Sequence, residues 1–103
     1  ENGRTITFEF THLDYRNTPS VKEELLQVIT KEHPEVLLNL QNVDFIDSTG
    51  LGLLLFCKRH CDSLGGRIAL TGLKPYVSNL VCITNLHRAI PVLQAAPIQV
   101  DTF

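Results

Sequence analysis

The sequence predicts an α/β fold built on a mainly parallel sheet. Three observations carry that expectation. Short strand-like runs (Arg4–Phe10, Val36–Leu40, Arg67–Thr71) alternate with longer helix-like runs. Glycine, proline or histidine punctuates nearly every junction between them. One of the short runs, Val36-Leu37-Leu38-Asn39-Leu40, is apolar almost throughout, as suits a strand buried on both faces. Strands that alternate with helices imply βαβ units with right-handed crossovers.

Arg4–Phe10, RTITFEF, alternates apolar and polar residues and is rich in β-branched types, which predicts the first strand. Thr11 to Tyr15 leads to a helix start, where Thr18 is a candidate cap and Pro19 suits the first helical position. Ser20 with Glu23 offers a second capping box. Val21, Leu25, Val28 and Ile29 share one face of that helix, and His33-Pro34 stops it. Val36–Leu40 is the second strand. A helix is expected over Leu51–Leu64, capped by Ser48 or Thr49 and closed by Gly65-Gly66. Arg67–Thr71 is the next strand, ending at Gly72. Pro75 opens a third helix with Val77, Leu80, Val81 and Thr84 on one face, and Asn85 is its left-handed end. Ile90–Leu93 is read as a last parallel strand, and Gln94–Phe103 carries no assignment.

With 103 residues, the chain is expected to form one domain over residues 1–103 with a single core of modest size. Hydrophobic residues make up 44% and charged residues 19%, a globular rather than a disordered balance. A formal net charge of −2 gives no electrostatic reason to expect nucleic acid or an anionic membrane as partner. The apolar run Leu51–Cys57 is far too short to span a bilayer. An odd count of three cysteines in helix-like segments reads as reduced thiols, and hence as a cytoplasmic protein. The first residue is Glu1 rather than methionine, which leaves open that the chain is cut from a larger protein.

The chemistry-bearing residues gather around Val43–Gly52, VDFIDSTGLG. Gly50 and Gly52 fall in the first turns of a helix, where each costs about 1 kcal/mol relative to Ala. They read as backbone kept bare for an approaching partner, so Ala at either position is expected to preserve or raise stability. Cys57, His60 and Cys61 form C-x-x-H-C, but structural zinc takes four ligands and no second Cys/His pair has suitable spacing. Leu54, Cys57, Cys61 and Leu64 form a core stripe instead, and no metal is expected. A nucleophilic Ser48 would need a base. His12, His33, His60 and His87 are scattered, and G-x-S-x-G is absent. Asp44 and Asp47 could hold a cation, though such a loop is ordinarily just solvated. A phosphate-binding loop and a dinucleotide fingerprint are both missing, so neither a cofactor nor an enzymatic activity is expected.

Leu38-Asn39-Leu40, then Val43–Gly52 with its D-S-T-G-L-G core, then Gly65-Gly66 and a strand, resembles the STAS domain family. More narrowly the chain is similar to the bacterial anti-sigma factor antagonists, over about residues 5–93. That resemblance implies a mixed, mostly parallel sheet with helices packed mainly on one side. It implies that Ser48 is phosphorylated by an anti-sigma factor that is also a serine kinase. The unphosphorylated form binds that anti-sigma factor and frees the sigma factor, and a phosphatase resets it. Asp14, Asp47, Thr49, Gly50, Leu51 and Gly52 are the implied partner-binding residues. An alternative is a STAS regulatory domain of a larger protein: an anion transporter, a stress-sensor complex or a lipid-transport accessory. A small-ligand or nucleotide-binding domain is a more distant one. The chain departs from the family at Thr11-His12-Leu13-Asp14, where a glycine and an acidic residue usually precede the Leu-Asp, so a shorter turn is expected. The family's C-terminal helix is not recognisable in Ala95–Phe103.

Overall fold

The computed structural model describes residues 3–93; the sequence of Ala95–Phe103, in which no helix was legible, lies outside them. Six strands and four helices run in the order β1 (Arg4–Thr7), β2 (His12–Leu13), α1 (Thr18–Val28), β3 (Glu35–Asn39), β4 (Phe45–Ile46), α2 (Ser48–Ser63), β5 (Arg67–Thr71), α3 (Pro75–Ile83), α4 (Leu86–Ala89) and β6 (Val92–Leu93). The main sheet has the order β1-β3-β5-β6, and β2 pairs with β4 in a separate ribbon. Every strand pairing is parallel; the antiparallel contact among the described residues is the Thr30–His33 bridge where α1 turns into β3. The described sheet is thus parallel throughout, with the helices packed mainly against one of its faces.

The register shows why one face is covered. Val36 and Leu38 of β3 pair with Ile68 and Leu70 of β5, and all four are buried. Leu37 and Ala69, on the opposite face, are half-exposed. β3 is thus buried on one side rather than on both, because the helices leave the other face partly open. α2 lies over β5, between α1 and α4, and contributes Leu53, Leu54, Cys57 and Cys61 to the core. Val21, Leu25 and Ile29 enter from α1, and Val77 and Val81 from α3. Leu64, expected in the α2 stripe, is half-exposed, and Thr84 is exposed at the end of α3.

Several boundaries differ from expectation. The first strand stops at Thr7, although Phe8 N–H still reaches the Asn39 carbonyl at 3.1 Å and Phe8 stacks on Phe10. The ribbon β2/β4 and the four-residue α4 were not foreseen, since pieces of two to four residues show no readable period. α1 begins at Thr18 with Pro19 in its first turn; its cap position is Asn17, whose side chain instead bonds Asp14 N–H and the His12 carbonyl. Asn85 is left-handed, φ 63°, and separates α3 from α4. The last strand is shorter than Ile90–Leu93, and Ile90 packs in the core instead.

Candidate functional site

The site forms where the β2–α1 loop meets the start of α2. The N-cap of α2 is Asp47, not Ser48 or Thr49 as expected. Its backbone is extended, and its Oδ1 accepts Gly50 N–H at 3.0 Å. The same oxygen accepts the Thr49 hydroxyl at 2.6 Å, while Oδ2 accepts Tyr15 N–H at 3.0 Å. Asp47 N–H in turn donates to the Leu13 carbonyl at 3.2 Å. Aspartate is among the best capping residues because its carboxylate meets unpartnered N–H groups and the positive end of the helix dipole. The donation from Thr49, followed by those of the backbone N–H groups, holds the Asp47 carboxyl below its ordinary value of 3.8 against the opposing effect of burial.

Asp14 sits on the facing loop. Its side chain is only 8% exposed and is gripped by Arg16 through Nε at 3.2 Å and Nη2 at 2.7 Å. Arg16 N–H adds a third bond to the same carboxylate. That pairing lowers the Asp14 pKa, the Arg16 side chain acting first and its backbone N–H second. Asp14 therefore shows little of itself to a partner, and Arg16 is the exposed group there. Asp44, the remaining acid of the segment, pairs with Lys74 at the head of α3.

Ser48 is the first residue of α2 and is exposed. Among the described residues, the side-chain hydrogen bonds of this region run to Asp47, Thr49 and Thr18, and none engages the Ser48 hydroxyl. Thr49 is also exposed, but its hydroxyl donates to Asp47 and lies 3.5 Å from that of Thr18. Two neighbouring hydroxyls are thus distinguished: one is tied into the cap, the other faces solvent.

The two glycines play different parts. Gly50 is buried, and a methyl there would lie 2.5 Å from the Leu13 carbonyl oxygen and 2.8 Å from Ile46 Cγ2. Its bareness is required by the β2/β4 ribbon beneath α2, so Gly50 is a packing glycine and not a surface kept open for a partner. Gly52 is exposed, and a methyl there would meet nothing within 4 Å. Leu51 is half-buried beside it.

The thiols lie elsewhere. Cys57 and Cys61 are buried in the core, and His60 Nε2 donates to the Ile29 carbonyl at 3.0 Å. Burial first, and the neighbouring Cys61 second, push the Cys57 thiol up to about 12. Among the described residues, no three His, Cys, Asp or Glu side chains converge as metal ligands. No described helix is long and apolar enough to cross a membrane.

Residues 3–97 match the family model for the STAS domain, and the match includes the whole of this site. The chain belongs to the STAS family. It is 28% identical over 81 residues to the anti-sigma F factor antagonist of Paenibacillus polymyxa, which covers 78% of this chain and 69% of that protein. An anti-sigma-factor antagonist (STAS) domain protein from Planctomyces limnophilus has the same fold, with a TM-score of 0.79 at 21% identity over 93% of this chain and 85% of that one. SpoIIAA is similar in two forms. The unphosphorylated antagonist gives a TM-score of 0.78 at 20% identity, covering 97% of this chain and 86% of its own. The phosphorylated Bacillus protein gives 0.68 at 21%, covering 93% and 85%.

Proposed function

We propose that this STAS domain is an anti-sigma factor antagonist and that Ser48 is its phosphorylation switch. The observation that carries the reading is the contrast between the free, exposed hydroxyl of Ser48 and the bonded hydroxyl of Thr49. The names of the relatives support it, as does the existence of SpoIIAA in phosphorylated and unphosphorylated forms. The partner is an anti-sigma factor with serine kinase activity, and a phosphatase restores the binding form. Ser48, Thr49, Leu51 and Gly52 form the contact surface, while Asp14 and Asp47 hold the two loops beneath it.

The electrostatics make the switch reasonable. Phosphorylation adds about −1.5 to −2 charges at pH 7. At the first turn of α2 that charge meets unpartnered N–H groups and the positive dipole end, while Arg16 and Lys74 already balance Asp14 and Asp44. The fold can therefore tolerate the modification. A partner packed against the helix end would have to desolvate a dianion, and the complex comes apart.

The test uses Ser48→Ala and Ser48→Asp, titrated calorimetrically against the cognate anti-sigma factor with thermal melts alongside. Both variants should melt near wild type, because Ser48 makes no capping bond. Ser48→Ala should bind, whereas Ser48→Asp should bind much more weakly. Equal affinity for Ser48→Asp and wild type would defeat the assignment.

A further inference from the structure

At the Thr49 end of α2, the facing sides of α1 and α2 leave a notch of about 340 Å³ lined by Thr18, Pro19, Lys22, Thr49, Gly52 and Phe56, with Leu53 also in its wall. The α2 contributors recur at helical spacing, so the notch follows one stripe of that helix from its first turn. Its opening depends on Gly52: a methyl group there would point into space with no heavy atom within 4 Å. Leu53 is buried and gives the notch an apolar floor.

Its charge is one-sided. Lys22 is the one ionic side chain in the lining, and no ion pair among the described residues involves it. Its ammonium stands 4.1 Å from the centroid of the Phe56 ring, which itself stacks on His60. A lysine resting on an aromatic face is held at a defined place at low cost, yet keeps its remaining hydrogen-bond capacity.

We infer that this notch is a specificity pocket for the partner, receiving an apolar side chain over Gly52 and Leu53 whose neighbouring carboxylate pairs with Lys22. The inference rests on the proposed antagonist reading, and it assigns the partner's chemistry: an acidic segment carrying an apolar side chain, rather than a basic one. Charge complementarity selects that occupant. A basic segment would bring like charge against the unpaired Lys22 ammonium, which opposes docking. Removal of the notch should therefore weaken binding without touching Ser48, and phosphorylation and notch occupancy become separate determinants of one interface.

The experiment titrates the purified anti-sigma factor kinase of the source genome against the wild-type chain, Gly52→Leu, Lys22→Glu and Ser48→Asp, at low and high salt. Gly52→Leu fills the notch and Lys22→Glu reverses its charge; melts confirm that each folds. Each is expected to lose affinity by about tenfold or more, as central contact residues do. Lys22→Glu should also flatten the salt dependence, because an attractive pair is gone. If Ser48→Asp loses binding while Gly52→Leu and Lys22→Glu bind like wild type, the pocket assignment is overturned and the switch stands. Should Gly52→Leu prove unstable, Lys22→Glu decides alone by affinity and salt slope. A wild-type chain that binds no anti-sigma factor overturns both readings.

Discussion

Gly50→Ala is the substitution on which helix propensity and packing disagree most clearly. Propensity alone favours it, because Ala in a helical turn is about 1 kcal/mol better than Gly. The packing opposes it. The new methyl would sit 2.5 Å from the Leu13 carbonyl oxygen, 2.8 Å from Ile46 Cγ2 and 3.1 Å from Leu13 Cγ. Leu13 and Ile46 are register partners in the β2/β4 ribbon and are essentially fully buried, so neither can swing into solvent. The nearest atom is backbone, and it already accepts Asp47 N–H. Relief therefore means lifting the start of α2 from the ribbon. Overpacking of this kind costs about 1–3 kcal/mol, and weakening the Asp47–Leu13 bond adds about 1 kcal/mol. After the propensity gain, a net loss of about 1–3 kcal/mol remains. In a chain of this size each kcal/mol moves the melting temperature by about 4–8 °C. Urea and thermal denaturation of Gly50→Ala and Gly52→Ala measured together provide the check. Gly52→Ala meets open space and should be neutral or up to about 1 kcal/mol more stable. A Gly50→Ala protein melting at or above wild type would refute the packing argument.

Two further outcomes are expected. Cys82 is exposed, while burial raises the pKa of both Cys57 and Cys61, so a thiol reagent at neutral pH should modify Cys82 quickly and the other two only on unfolding; fast reaction of all three would show a looser core. Asp14 and Asp47 both titrate below 3.8 in the folded chain, so their stabilising effect is complete above that value and is lost as pH falls through their depressed folded values. Acid titration of stability should show a shallower fall for Asp47→Asn than for wild type, and an unchanged slope would mean that the cap carboxylate is not part of the linkage.

The alternation of strands and helices, the core stripe through Leu54, Cys57 and Cys61, and the left-handed Asn85 were legible because each repeats a local rule over several residues or needs one special conformation. β2, β4 and α4 were not, since pieces this short owe their form to neighbours distant in sequence: β2 exists because Phe45 and Ile46 lie beside it. The capping assignment was closer to hand. Asp47 lies directly before the hydroxyls, and an aspartate three residues ahead of Gly50 is itself a strong helix-start signal. The role of Gly50 was misread because sequence shows a missing side chain but not what lies opposite it. The notch at Gly52 was half visible: the glycine could be seen, but Lys22 joins it only through the packing of α1 against α2. The Ser48–Thr49 distinction likewise depends on which hydroxyl reaches Asp47.

Phosphate mapping decides whether Ser48 is the switch. The wild-type chain, Ser48→Ala and Thr49→Val would each be incubated with ATP and the cognate anti-sigma factor kinase. Intact mass and peptide fragmentation would then locate any phosphate, and the modified chain would be titrated against the same partner. One phosphate is expected, on Ser48, in the wild-type and Thr49→Val proteins, none on Ser48→Ala, and loss of the complex once Ser48 is modified. Phosphate on Thr49, or a Ser48-phosphorylated chain that binds as tightly as the unmodified one, would contradict it.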